Sequence, residues 1–170
     1  GAQDQIKVGI LSHDTGPFAQ NGRGFHRGIE VYQALHGKSA GGREIEFVYR
    51  DIGGPNPAVG KRLAEELIVR EKVHILGGFA LSSEALAVGP IVEQTKTPAI
   101  TFIASSPSVL AGSQYFLKSG QHIAQSSSAG ATFARKQGAE KCYIVVSDYQ
   151  PGYDAQKAFR KTFESAGGQI

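Results

Sequence analysis

The chain has 170 residues, enough to bury a sizeable core and ordinarily one domain. Its 41% hydrophobic and 19% charged residues are typical of a globular protein, and no apolar run approaches the ~20 residues of a membrane-spanning helix. The net charge of +3 comes from interspersed charges of both signs, which argues against the basic tract of a nucleic-acid-binding protein.

The start of the chain predicts a strand, a long loop and a helix. Ile6–Leu11 has apolar residues on both faces, as do strands of a parallel sheet that helices cover on both sides. Ser12–Gly24 is rich in Ser, Gly and Pro and is predicted to be a loop, followed by an amphipathic helix over Phe25–Leu35 in which Gly28 allows close approach to the sheet. Ligands bind beyond the carboxyl ends of such strands, so Ser12–Asn21 is a candidate binding edge.

Apolar runs and helical patterns alternate along the rest of the chain. Further strands are predicted at Ile45–Tyr49, Val73–Leu76, Ala99–Ile103 and Cys142–Val146. Further helices are predicted from Asn56–Pro57, from Ser82 or Ser83 as a cap, over Ile123–Lys136 and over Asp154–Ala166. This alternation predicts βαβ units and an α/β fold with a parallel sheet.

Three segments bear on the organisation of the chain. The Ser/Pro/Gly-rich sequence between Ile103 and Ile123, with a short strand-like piece at Tyr115–Leu117, is predicted to cross between two sheets. Gly167–Ile170 reads as a turn and the start of another strand, so we expect the chain to be a fragment. Gly1–Gln5 is too short and polar to be a signal peptide.

Residue types that often carry catalysis or bind metals form no suitable pattern. The single cysteine, Cys142, lies in an apolar run and is interpreted as a buried strand residue, with no internal disulfide. Five histidines lack metal-site spacing and are interpreted as surface or loop residues, although His13 with Asp14 could line a binding edge: His13, His26, His36, His74 and His122. No GxxxxGK[ST], GxSxG or complete GxGxxG motif is present, so we expect no enzyme activity and no cofactor or metal.

Five segments, in their order and spacing, resemble the type I periplasmic solute-binding proteins of ABC importers, in the leucine/isoleucine/valine-binding branch. They are KVGILSHDTGPFAQNGRGFHRGIEV, GGREIEFVYRDIGGPNPAVGKRLAEELI, VHILGGFALSSEALAV, PAITFIASSPSV and YIVVSDYQPGYDAQKAFRKTFESAGGQI. The resemblance implies two Rossmann-like (flavodoxin-like) αβα lobes that close about a hinge over a small ligand. It also implies that residues 1–118 are lobe one without its C-terminal return segment, and that residues 119–170 begin lobe two.

The same resemblance implies roles for residues in the loops after the strands. Ser12, Phe18 and Asn21 are expected to line the ligand cleft. Ser82 and Ser83 are expected to bind a ligand carboxylate at the start of a helix, where backbone N–H groups and the helix dipole favour an anion, although plain capping is the alternative. The remaining implied contacts follow the fourth strand or come from lobe two: Ala104, Ser105, Ser106, Tyr149 and Tyr153.

These implications together predict an extracytoplasmic, periplasmic component of a bacterial ABC importer that delivers a small carboxylate ligand to a membrane permease. The ligand is expected to be a branched-chain or other amino acid, or an aromatic or related organic acid. No nucleic-acid partner and no membrane insertion are expected. A ligand-sensing domain of a receptor or regulator is an alternative with the same fold, and a flavodoxin-like enzyme would instead bind flavin or phosphate at the Ser12–Asn21 loop.

Overall fold

A computed structural model describes residues 5–170 and divides the chain into two compact units. Unit 1 comprises the chain up to Ala104 together with Val109–Ser119, and unit 2 comprises Ser105–Ser108 together with Gly120–Ile170. The segment Gly1–Gln5 is interpreted from its sequence as too short and polar for a signal peptide. Its residues 1–4 lie outside the described residues. None of the helices between residues 5 and 170 has the length and apolar character needed to cross a membrane.

Unit 1 is built on a six-stranded sheet. Its strands are β1 (Gln5–Ser12), β2 (Ser39–Ala40), β3 (Arg43–Asp51), β4 (Ile75–Gly78), β5 (Ala99–Thr101) and β6 (Phe116–Lys118). The order is β2-β3-β1-β4-β5-β6, and every pair is parallel except the short β2 with β3. The predicted α/β fold is confirmed, and the sheet is parallel as predicted except for the short β2.

Helices cover the two faces of this sheet unequally. They are α1 (Ala19–His36), α2 (Pro57–Glu65), which continues into a π-helical turn (Glu66–Arg70), and α3 (Ser82–Thr95); a short α4 (Ser108–Gly112) follows β5. The larger core includes Leu67, Leu76 and Val88, where α2 and α3 pack together against the sheet. The smaller core, around Ile10 and Phe25, lies beneath α1.

The predicted start of α2 is confirmed, whereas α1 differs from its prediction. The Asn56 side chain accepts a hydrogen bond from the Val59 N–H at 3.1 Å, with proline next in the chain, as the cap pattern predicts. Helix α1 begins at Ala19 rather than Phe25, so the loop after β1 is shorter than predicted. The predicted approach of Gly28 to the sheet is wrong, because nothing lies within 4 Å of a Cβ added there.

Two sheet predictions need correction. Strand β4 begins at Ile75 rather than Val73, because Lys72 has a left-handed backbone with φ 55° that turns the chain as it leaves the π-helical segment. The piece at Tyr115–Leu117 corresponds to β6, which pairs with β5 in the same sheet. The chain after Ile103 therefore passes briefly through unit 2 at Ser105–Ser108, returns to add β6 to the unit 1 sheet, and continues in unit 2 from Gly120.

Unit 2 contains helices α5 (Ile123–Lys136) and α6 (Gln150–Ser165), which pack against each other. The Phe163 ring is fully buried, and the Arg135 guanidinium lies 5.6 Å from its centroid. Helix α5 has the predicted bounds. Helix α6 begins before the predicted Asp154, because Pro151 occupies its first turn, where proline is well tolerated.

The predicted strand Cys142–Val146 is not formed in this chain. Among the described residues, its neighbour Lys141 makes an isolated parallel bridge to Gln169, and the segment has no further ladder. Tyr143 and Val145 are 94% and 83% exposed, and Cys142 is only half-buried. A strand needs adjacent strands to satisfy its backbone groups, and residues 5–170 supply this segment with too few.

Candidate functional site

The carboxyl edge of the unit 1 sheet brings together the loops that follow its parallel strands. Strand β1 lies between β3 and β4, so the chain passes from one side of β1 to the other. Such a point, where the strand order reverses, is where ligands bind in open α/β sheets. The loops after β1 and β4 flank this point. Phe18 lies in the first of these loops, and Ser82 and Ser83 begin the helix that follows the second.

The turn from β4 into α3 is tightly constrained. Gly78 has φ 108°, and a Cβ there would overlap the Leu11 carbonyl oxygen. Phe79 is buried with φ 63°, an unfavourable conformation for a non-glycine residue that is frequent at functional sites. Its N–H donates to the Leu11 carbonyl at 3.2 Å, and its carbonyl accepts from the Ala104 N–H at 2.9 Å. These bonds fix the start of α3 beside β1.

Helix α3 begins without a side-chain cap. The N-cap residue is Leu81, and Ser82 and Ser83 occupy the first two helical positions, so the alternative that either serine caps the helix is wrong. The first N–H groups of a helix have no intrahelical partner, and together with the helix dipole they favour an anion. Ser82 is buried and Ser83 is half-buried. The backbone N–H groups and the Ser83 hydroxyl are therefore suitable donors for a carboxylate.

A buried His–Glu pair supports this helix start. The side chains of His13, directly after β1, and Glu84, in the first turn of α3, are both 0% exposed, with Nε2 and Oε1 3.0 Å apart. His13 lies in the loop after β1, which agrees with the loop alternative of its prediction, whereas the surface alternative is wrong because the residue is buried. Within residues 5–170, His13 Nδ1 and Glu84 Oε2 have no hydrogen-bond partner. The contact between His13 Nε2 and Glu84 Oε1 thus joins the end of β1 to α3.

The Ser12 hydroxyl is engaged inside its own loop. Ser12 is buried, and its Oγ donates to Asp14 Oδ1 at 2.7 Å. Asp14 also pairs with His26 Nε2 at 3.0 Å, and the His26 ring stacks on Tyr49 with centroids 4.0 Å apart. Burial raises the pKa of Tyr49, and the negative charges of Glu30 and Asp14 add to this effect. A ligand that accepts a hydrogen bond from the Ser12 hydroxyl would have to replace Asp14 as its acceptor.

Asp51, at the end of β3, anchors the same loop. Its carboxylate accepts hydrogen bonds from the Asp14 N–H at 2.8 Å and from the Thr15 hydroxyl at 2.6 Å. The Gly53 N–H donates to it at 2.8 Å. Burial raises the pKa of the Asp51 carboxyl, but these hydrogen bonds favour its charged form and together hold the pKa below its usual value. The loop after β1 is therefore tied to both β1 and β3.

Phe18 and Asn21 lie where this loop turns into α1. Phe18 is half-buried, and its ring meets His13 edge-to-face with centroids 5.9 Å apart. Asn21, also half-buried, lies in the first turn of α1, and its N–H donates to the Phe18 carbonyl at 2.8 Å. Both residues are therefore placed beside the buried pair at the carboxyl edge.

Ala104 is buried after β5, and both of its backbone groups are bonded within unit 1. Its N–H donates to Phe79, and its carbonyl accepts a hydrogen bond from the Lys118 ammonium. Burial lowers the pKa of Lys118. The predicted contact of Ala104 with a ligand is therefore limited to the second lone pair of its carbonyl.

The other predicted residues belong to unit 2. The Ser105 carbonyl accepts from the Ile123 N–H at 2.9 Å. Ser106 is buried, its Oγ donates to Asp154 Oδ2 at 2.6 Å, and the Ser108 N–H donates to it at 3.2 Å. Within unit 2, Ser106 therefore uses its hydroxyl proton on a protein carboxylate.

Tyr149 and Tyr153 lie at the start of α6. They are 43% and 47% exposed, so both present ring surface. The Tyr153 hydroxyl hydrogen-bonds to Asp148. Two exposed aromatic rings, one at the N-cap and one four residues later, suit contact with a flat, apolar ligand surface.

The sequence interpretation missed the pairs His13–Glu84 and Ser106–Asp154, whose members lie 71 and 48 residues apart. No local pattern signals contacts over such separations. The position of His13 directly after a buried strand was the one sign in the sequence that its side chain could be buried against a helix. Among residues 5–170, no three His, Cys, Asp or Glu side chains are grouped so that they could hold a metal ion.

The chain matches the sequence model of a family described as periplasmic binding protein, over residues 5–170. It is 40% identical over 167 residues to the Leu/Ile/Val-binding protein homolog 6 of Brucella abortus, covering 98% of the chain and 43% of that protein.

The chain also resembles two solved structures of ABC-transporter solute-binding proteins. The Rhodopseudomonas palustris protein in complex with 4-hydroxybenzoate is 42% identical, with a TM-score of 0.95 over 98% of this chain and 45% of that one. The R. palustris BisB5 protein in complex with 3,4-dihydroxybenzoic acid is 36% identical, with a TM-score of 0.95. The match covers 99% of this chain and 46% of that protein.

Proposed function

The chain belongs to the periplasmic binding protein family, and we propose that it is part of the solute-binding component of a bacterial ABC importer. It spans less than half the length of the relatives it matches, so this role concerns the longer protein. That protein captures a small carboxylate ligand in the periplasm without chemical conversion and delivers it to a membrane permease. Residues 1–118 form most of lobe one, residues 119–170 begin lobe two, and the lobes close about a hinge when ligand contacts favour the closed state.

The proposed ligand is an aromatic carboxylic acid of the hydroxybenzoate class. Two similar proteins, 42% and 36% identical, were crystallised with 4-hydroxybenzoate and 3,4-dihydroxybenzoic acid. The exposed rings of Tyr149 and Tyr153 suit a flat aromatic ligand. A branched-chain amino acid is the second candidate, because the Brucella relative of 40% identity is named for leucine, isoleucine and valine.

The uncapped start of α3 carries the proposal. It lies at the reversal of strand order, and its first N–H groups and the Ser83 hydroxyl supply hydrogen-bond donors. Glu84, in the same turn, would compete with a ligand anion for the positive end of the helix dipole. Its carboxylate is instead paired with His13, so the helix start remains favourable for a second negative group.

The other predicted residues take supporting roles in this proposal. Ser82 contributes its backbone N–H, and Phe18 and Asn21 form the wall beside the carboxylate. Ser12 holds the loop in place through Asp14. The remaining contacts, from the segment after β5 and from α6, are those of Ala104, Ser105, Ser106, Tyr149 and Tyr153.

Lobe one as described has an uncovered apolar surface, for which we propose an occupant. Val31, Tyr32 and Leu35 of α1 are exposed, and Gly28 lies beside them with open space around it. A parallel sheet is normally covered by helices on both faces, and this face has α1 alone. The return segment of the longer polypeptide is the proposed cover, since the relatives have more than half their length outside the matched region.

Isothermal titration calorimetry of the full-length protein with a panel of aromatic and amino acids tests this function. Hydroxybenzoates are expected to bind, and Ser83→Ala is expected to weaken binding by roughly tenfold to a hundredfold, as for a lost hydrogen bond to a charged group. Ser39→Ala is the matched control, because Ser39 is exposed on β2, at the opposite end of β3 from Asp51. Absence of binding across the panel, or an unchanged affinity in Ser83→Ala, would contradict the proposal.

A further inference from the structure

Asp154 is a carboxylate in unit 2 whose neighbours are hydrogen-bond donors. Its Oδ2 accepts from the buried Ser106 hydroxyl at 2.6 Å, and its Oδ1 accepts from the Gln150 side-chain amide at 3.0 Å. In the part of the chain that the structure describes, no basic side chain forms an ion pair with it. Asp154 is half-buried, and its two carboxylate oxygens have further lone pairs that can accept hydrogen bonds.

This arrangement determines which ligand group the Ser106 region can receive. The Ser106 proton is already donated to Asp154, so Ser106 offers no hydroxyl proton to a ligand carboxylate. A carboxylate placed there would also face the Asp154 carboxylate, and two like-charged groups repel each other. A group that donates a hydrogen bond, by contrast, gains a charged acceptor, which makes a stronger bond than a neutral acceptor does.

We propose that Asp154 is a specificity-determining residue that accepts a hydrogen bond from a phenolic hydroxyl of the ligand. The inference rests on the proposed function and deepens it, because it selects hydroxybenzoates over benzoate. Tyr149, the N-cap residue of α6, and Tyr153, next to Asp154 in the chain, present exposed rings for the aromatic body.

The wild-type full-length protein provides the first test, with benzoate, 4-hydroxybenzoate and 4-methoxybenzoate as titrants in calorimetry. A site that hydrogen-bonds a hydroxyl discriminates against analogues that lack the proton. We expect 4-hydroxybenzoate to bind at least about tenfold more tightly than either of the others. Equal binding of all three would overturn the role of Asp154 and leave the proposed function standing. Failure of all three to bind would overturn both.

The variant Asp154→Asn provides the second test. Its amide oxygen still accepts from Ser106, but the charge is lost, so the preference for 4-hydroxybenzoate over benzoate is expected to fall by about fivefold. Glu164→Gln is the control: it removes one charge from the same helix, where Glu164 pairs with Arg160 on the surface, and should leave the preference unchanged. An equal loss of affinity for both ligands in Asp154→Asn would show a merely structural role and overturn the proposal. If this variant does not fold, the wild-type ligand series still decides.

Discussion

Removing either member of the buried His13–Glu84 pair is expected to destabilise the protein by about 3–5 kcal/mol. Both side chains are 0% exposed, so neither can hydrogen-bond to water and each relies on the other as its polar partner. Glu84→Ala leaves the imidazole without its partner. His13→Ala leaves a buried carboxylate with only a long hydrogen bond, 3.5 Å, from the Asn56 N–H. Urea unfolding of each variant measures the loss.

A double variant separates the cost of an unpaired group from the value of the pair. Replacement of both members by apolar residues of similar size, His13→Leu with Glu84→Met, removes both buried polar groups at once. Such exchanges are often neutral or stabilising by about 1–4 kcal/mol, so the double variant should be more stable than either single variant. Single variants that lose less than about 1 kcal/mol, the range of exposed pairs, would contradict a fully buried pair.

Gly22→Ala and Gly28→Ala, in the same helix α1 of the 170-residue chain, are expected to change stability in opposite directions. A Cβ at Gly22 would overlap the His13 carbonyl oxygen and lie 2.6 Å from Asp14 Oδ1, so the helix or the loop after β1 must shift. Overpacking of this kind costs typically about 1–3 kcal/mol. At Gly28 the added methyl meets nothing within 4 Å, and alanine should stabilise the helix by up to about 1 kcal/mol.

Thermal unfolding of the two variants, each measured against the parent chain, reports both changes. Backbone opposes the methyl at Gly22, so no flexible side chain can move aside to relieve the contact. Two variants that shift the midpoint in the same direction would show that α1 does not pack against the loop as described.

The fold was predictable from the sequence wherever a strong pattern coincided with local contacts. Ile6–Leu11 and Ile45–Tyr49 are apolar enough to indicate buried strands, and β1 and β3 include them. Asn56 followed by Pro57 gave the start of α2 correctly, because capping depends on neighbouring residues alone. The early start of α1 was missed because glycines at positions 22 and 24 resemble loop residues, whereas Gly22 is required by packing against His13.

Features that depend on distant residues were not predictable. Cys142–Val146 has the composition of a strand, but strand formation requires partners, and the described chain supplies only the bridge at Gln169. The loops of the candidate site could be located, because strand ends share one edge of a parallel sheet. The hydrogen bond from Ser106 to Asp154, 48 residues away, could not be predicted. The hydrogen bond from Ser12 to the nearby Asp14 was missed as well, because a serine at a strand end carries no sign of which acceptor its hydroxyl will use.

A crystal structure of the full-length protein with bound 4-hydroxybenzoate is the most direct test of the claim that the start of α3 receives the ligand carboxylate. The expected result is a carboxylate oxygen about 2.7–3.2 Å from the backbone N–H and hydroxyl of Ser83. A carboxylate bound elsewhere, with no contact to the first turn of α3, would contradict the claim.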